Sequence, residues 1–147
     1  MKKSKYLLDT NICISLLRGN RDVARKLIGI GEDKCFLSVI TLYELMFGAY
    51  NSGRSQQEIL KVKEFVNRFP VVSLMDSAEE YAFRKTQLRA SGIMIDEFDL
   101  LIAATALSGN YILVTDNIKH FQRITNLRLE NWIKRYISSC VIMICYT

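Results

Sequence analysis

Residues 95–121, IDEFDLLIAATALSGNYILVTDNIKHF, constrain the fold more than any other stretch of the chain. Leu100, Ala103, Ala104 and Leu107 recur at i, i+3, i+4 and i+7, the spacing of one buried helical stripe. Ser108-Gly109-Asn110 supplies residues that tolerate the left-handed turn at a helix end, and residues 111–114 form an apolar run of strand length with β-branched members. A helix followed within three residues by a buried strand is half of a crossover unit. Asp99 then falls in the helix's first turn and Asp116 just past the strand's carboxyl end, so both can face one crevice.

The rest of the chain repeats this alternation. Residues 5–8 are a brief strand stopped by Asp9-Thr10-Asn11, followed by a helix that ends at Arg18-Gly19-Asn20. Residues 21–30 predict a second short helix with Val23, Leu27 and Ile28 on one side, interrupted at Gly29 and Gly31. Residues 35–39 predict a second strand, and Thr41-Leu42-Tyr43-Glu44 opens a helix running to Gly48. A helix from Glu58 to Phe69, stopped by Pro70, leads to a third strand over 71–75 and an acidic helix start at Asp76. A last edge strand is expected near 127–129, before Trp132.

Short apolar strands between helices imply a parallel sheet covered on both faces. Right-handed crossovers place every strand's carboxyl end on one edge, where an open α/β sheet forms its site.

At 147 residues the chain suits one domain, and it contains no repeat, linker or low-complexity segment. A formal charge of +5 favours an anionic partner. The basic start, Met1-Lys2-Lys3-Ser4-Lys5, is followed by an apolar run that stops at Asp9, too soon for a signal-peptide core, so a cytoplasmic protein with no membrane association is expected. Cys13, Cys35, Cys140 and Cys145 lack paired C-x-x-C spacing and His120 is the single histidine, which argues against a zinc site and for reduced, buried thiols.

Four acids fall at the inferred edge: Asp9, Glu44, Asp99 and Asp116. Each has an ordinary reading. Asp9 or Thr10 caps a helix, Thr41-x-x-Glu44 matches a capping box, Asp99 complements a helix dipole, and Asp116-Asn117 is a good turn pair. Converging carboxylates, however, repel one another and raise their own pKa values unless a cation relieves them. Oxygen donors suit Mg²⁺ or Mn²⁺, and such a site activates water for attack on a phosphodiester.

The motifs Leu7-Leu8-Asp9-Thr10-Asn11, the run from Ser38 through Thr41 and Glu44 to Gly48, the Asp99-Leu100-Leu101-Ile102-Ala103-Ala104 core, Val114-Thr115-Asp116-Asn117 with Phe121, and Leu129-Glu130-Asn131-Trp132 together resemble a PIN-domain ribonuclease of the VapC toxin type. The resemblance spans residues 6–132. It implies a three-layer α/β/α fold with a central parallel sheet of four to five strands, Mg²⁺- or Mn²⁺-dependent endonucleolytic cleavage of RNA, a homodimer, and neutralisation by a cognate VapB-type antitoxin. Carried over by position, it implies Asp9, Glu44, Asp99 and Asp116 as catalytic and metal-binding residues. Asp9 and Asp99 would be the main ligands, Asp116 would bind or orient the metal directly or through water, and Glu44 would hold the water or act as general base. Thr10, Asn11 and Thr115 would position these carboxylates.

Asp96 shares a helix face with Asp99 and is either a fifth acid of the crevice or only the helix cap. Asp76 is left out because the family's strand order places its strand at the sheet's edge, and Glu97 is expected to be solvated. Lys2, Lys3, Lys5, Arg18, Arg21, Lys119 and Arg123 near the edge are each either a phosphate contact or an ordinary scattered surface cation; Tyr43 and Phe98 either stack bases or pack in the core or an interface. The domain is assigned to residues 1–132 and an apolar tail of unknown role to 133–147, which is an added edge strand, a partner-packing segment or a read-through remnant. Two other functions compete: a non-catalytic RNA- or protein-binding module, which has no physical reason to keep four repelling carboxylates, and an aspartyl-phosphate enzyme, which would show a second aspartate two residues after Asp9 where Asn11 stands.

Overall fold

Strand β1 (Tyr6–Leu8) is the centre of a five-stranded sheet in the computed structural model of the protein, which describes residues 3–135. Its neighbours are β2 (Cys35–Ser38) and β4 (Ile112–Val114), with β3 (Val71–Val72) and β5 (Leu129–Glu130) at the edges, giving the order β3-β2-β1-β4-β5. Every pairing is parallel. Leu8 stands opposite both Leu37 and Val114, so the residues that follow β1, β2 and β4 emerge side by side.

Alternation along the strands builds two cores. Leu8, Leu37 and Val114 pack with Ile12, Val23, Leu45, Val62 and Phe65 on one face, under α1 (Thr10–Leu17), α2 (Arg21–Ile30), α3 (Val39–Tyr50) and α4 (Ser55–Val66). Leu7 and Leu113 pack with Leu88, Leu100, Ile102, Ala103 and Phe121 on the other, under α5 (Ala78–Ala90), α6 (Glu97–Ser108) and the short α7 (Ile118–Phe121). The result is the expected three-layer arrangement. Residues 102–106 of α6 are all buried, so this helix is embedded and its stripe is wider than i, i+3, i+4 spacing alone suggests. Its end is tight: Asn110 adopts φ 56°, and a Cβ at Gly109 would stand 2.1 Å from the Tyr111 ring.

Several local expectations shift. α3 begins at Val39 because Ser38, buried, accepts a hydrogen bond from Ile40 N at 3.1 Å; Thr41 is therefore inside the helix, and the Thr41/Glu44 capping box does not form. The third strand is two residues long, since a 3₁₀ turn at Met75–Ser77 takes over the end of the apolar run. Gly29 is carried within α2, and Ile28 is 79% exposed while Val23 and Leu27 are buried. Glu97 is not simply solvated: it accepts a bond of 2.7 Å from Lys85 Nζ and another from Tyr81, tying α6 to α5. Cys13 and Cys35 are free and buried, whereas Cys140, Cys145 and most of the 133–147 tail lie outside the described residues. No helix among the described residues is long and apolar enough to cross a membrane.

Candidate active site

Strand order reverses between β1 and β4: β2 and β3 extend the sheet to one side, β4 and β5 to the other. A crevice opens at the carboxyl ends of such a pair. Asp9 follows β1 there, and Asp116 follows β4 one residue further on.

Asp9 is 4% exposed and caps α1, with Oδ1 accepting from Thr10 N at 2.9 Å. Its Oδ2 accepts from Thr115 Oγ1 at 2.8 Å and from Asn11 Nδ2 at 3.3 Å. Burial pushes its pKa up to about 6; the Thr115 and Thr10 hydrogen bonds oppose the rise, and the charges of Asp99 and Glu44 add to it. A buried carboxylate that three polar groups hold in place, yet whose charge is disfavoured, is an electrostatic seat for a cation.

Asp99 lies in the first turn of α6, whose cap is Asp96: Asp96 Oδ1 accepts from Phe98 N at 3.0 Å and from Asp99 N at 3.4 Å. That cap fully engages Asp96 Oδ1 and leaves the side chain exposed. Half-burial raises the Asp99 pKa first and Asp96 second, while His120 lowers it, its Nδ1 standing 3.7 Å from Asp99 Oδ2. Glu44, on the second turn of α3, accepts from Thr10 Oγ1 at 2.7 Å, and the same hydroxyl lies 3.3 Å from Thr41 Oγ1. Asp9 thus senses the charges of both Asp99 and Glu44. Asp116 is turned toward the end of the described chain: Oδ1 accepts from Asn131 Nδ2 at 3.2 Å and Oδ2 from Arg135 Nη2 at 3.0 Å. Its backbone remains tied to the crevice, because Asp116 N donates to Asn11 Oδ1 at 3.0 Å.

Asn11 therefore bridges the two aspartates, and Thr115 binds both Asp9 and Asn117 N. Four contributors escaped sequence reasoning: Thr41, Asn131, Arg135 and His120. His120 has a visible signal as the single histidine, four residues after Asp116, and Thr41 and Asn131 stand inside the matching motifs with no role assigned to them. Lys3 and Lys5 prove to be misassigned to this edge. They precede β1 and stand at its amino end, on the opposite side of the sheet, whereas Arg18 shares a groove of about 480 Å³ with Glu44. Lys2 lies outside the described residues. Tyr43 and Phe98 are 68% and 49% exposed, which rules out core packing for Tyr43 and leaves half of Phe98 open.

The fold and this crevice define a class, a parallel α/β domain with acids set along its carboxyl edge around the switch between its first and fourth strands. The family profile described as PIN domain matches residues 6–127. A ribonuclease VapC2 of Rickettsia felis is 36% identical over 132 residues, covering 88% of this chain and 98% of the relative. A tRNA(fMet)-specific endonuclease VapC of Shigella flexneri is 32% identical over 129 residues, covering 87% and 98%. Among solved structures, the VapBC2 complex of Rickettsia felis bound to a DNA fragment from its promoter superposes with a TM-score of 0.82 at 34% identity, over 87% of this chain and 98% of that one. The chain belongs to the PIN-domain family, in its VapC group.

Proposed function

We infer that the protein is an endoribonuclease that acts as the toxin of a toxin–antitoxin pair, with a cognate VapB-type antitoxin as its partner, a homodimer as its working form and the cytoplasm as its compartment. The relatives named as VapC ribonucleases and VapBC complexes support this reading. The observation that carries it is Asp9: a buried carboxylate at the switch point, pushed up to about 6, with Asp99 and Glu44 close enough to raise it further.

The donor set fits Mg²⁺ or Mn²⁺. Among the described residues no three His, Cys, Asp or Glu side chains close around one point, and a cage built wholly of protein donors needs such a cluster. A hard cation does not, because Mg²⁺ is usually held through one or two carboxylates with water completing its octahedron. Asp9 and Asp99 would hold the ion, and Asp116 would join once released from Asn131 and Arg135. When bound, the cation supplies charge that stabilises the phosphodiester's transition state and acidifies water.

Glu44 has one oxygen held by Thr10, and the other would take a proton from the attacking water as its oxygen bonds to phosphorus, while the ester bond breaks and the leaving sugar oxygen takes a proton from solvent. Thr115, Thr10 and Asn11 keep Asp9 in one orientation. The RNA that the Shigella relative is named for, tRNA(fMet), is the first substrate to test. Expression of the parent in a bacterium without antitoxin should arrest growth and degrade RNA, and Asp99→Asn should do neither. Equal arrest by both would point to a binding module.

A further inference from the structure

A second charged feature lies on the opposite side of the sheet from Asp9. Lys3, Ser4, Lys5, Gly109, Asn110 and Arg128 line a cavity of about 370 Å³ at the amino ends of β1 and β4. Three of the six are cations and none is an acid. Two of the cations are held in place. Arg128 Nη2 donates to Asn110 O at 2.8 Å and to Asn110 Oδ1 at 3.0 Å, and Lys5 Nζ stands 4.4 Å above the Tyr111 ring. Neither cation is paired with a carboxylate in these contacts, and Lys3 forms no ion pair among the described residues.

Part of this charge has a structural use, since α6 ends at Ser108, capped by Gly109, and its dipole places about half a negative charge there. Three cations exceed that half charge severalfold. The remainder is unpaired positive potential in a concave, hydrogen-bonding pocket, which is the chemistry that recognises a phosphate oxyanion. Lys5 is four residues upstream of Asp9, so the pocket lies on the order of 13 Å from the acidic crevice along the strand direction.

We propose that this pocket binds a backbone phosphate of the RNA substrate at a point remote from the cleaved bond, so that the domain grips one RNA on both edges of its sheet. The proposal rests on the ribonuclease reading. A substrate long enough to bend around the domain would gain affinity here, and one of a few nucleotides would not. Free inorganic phosphate has the same chemistry and is the other possible occupant.

The test titrates the full chain, with EDTA present so that RNA stays intact, with a fluorescent single-stranded RNA at several salt concentrations. Lys3→Gln/Lys5→Gln should flatten the slope of log affinity against log salt by about 0.7, the share of one lost phosphate contact on a single strand, and weaken binding severalfold at low salt. Lys3→Arg/Lys5→Arg should restore both, which separates charge from misfolding. In nitrogen-15 spectra the Asn110 amide and the Arg128 side-chain NH should shift on adding RNA. An unchanged slope in the glutamine variant overturns the proposal, and so does a shift produced by inorganic phosphate but not by RNA. If the slope responds as stated but the parent cuts no RNA with any divalent cation, this site stands and the nuclease reading falls.

Discussion

Thr115 Oγ1 donates a 2.8 Å hydrogen bond to Asp9 Oδ2, joining the carboxyl ends of β4 and β1 across 106 positions of sequence. Both side chains are buried. The hydroxyl also accepts from Asn117 N at 3.0 Å, which leaves its single proton directed at Asp9. This bond opposes the burial that drives the Asp9 pKa up.

Thr115→Val removes that proton. Asp9 then becomes harder to ionise, and the acidic limb of the cleavage profile should move to higher pH, while Thr115→Ser should keep it in place. The lost buried bond to a charged acceptor should cost about 1–3 kcal/mol of stability. Superimposable pH profiles for parent and valine variant would show that Thr115 does not set the Asp9 charge.

The folded Asp9 pKa of about 6 lies above its unfolded value of roughly 3.9. Between these values the folded chain binds more proton than the unfolded one. In EDTA, stability should therefore fall as pH rises from about 4 to about 6, by on the order of 2–3 kcal/mol, with the full penalty present above pH about 6. Asp99, also raised, adds in the same direction. Denaturant unfolding across this window should show the fall in the parent, a shallower one in Asp9→Asn, and recovery at neutral pH when Mn²⁺ is added. A parent-minus-variant difference that is flat with pH would contradict the assignment.

Thr10 holds Glu44 at 2.7 Å. Thr10→Val should lower kcat about tenfold, the equivalent of roughly 1.4 kcal/mol, with KM little moved, and Thr10→Ser should recover most of it. A change confined to KM would assign Thr10 to RNA binding instead.

Arg135 is 76% exposed where it meets Asp116. Arg135→Ala should change stability by less than about 0.5 kcal/mol, as exposed pairs do. It should also tighten divalent-ion binding a few-fold, because Asp116 loses a competing cation. Calorimetric titration of both forms with Mn²⁺ checks this, and weaker binding in the alanine variant would mean that Arg135 supports the site.

Much of this was legible in sequence because strand length, helical spacing and the acid after each strand are local signals. Asp9, Asp99 and Asp116 could be placed at one edge from their positions relative to β1, α6 and β4 alone. What was not legible depends on contacts distant in sequence. The Thr115–Asp9 bond, the Asn11 bridge and the outward turn of Asp116 need tertiary packing to exist. Glu44 is legible as an edge acid, and its competing capping-box reading fails because buried Ser38, three residues before Thr41, is the N-cap. Lys3 and Lys5 are near Asp9 in sequence but not in space, because β1 runs between them.

The most direct measurement is cleavage of tRNA(fMet) by the purified chain as Mg²⁺ or Mn²⁺ is titrated in, compared with Asp9→Asn and Asp99→Asn. The parent should cut only when the cation is present, EDTA should stop it, and both variants should leave the RNA intact while retaining their fold. Cutting by the parent in EDTA, or by either variant at the parental rate, would contradict a cation-dependent site built on Asp9 and Asp99.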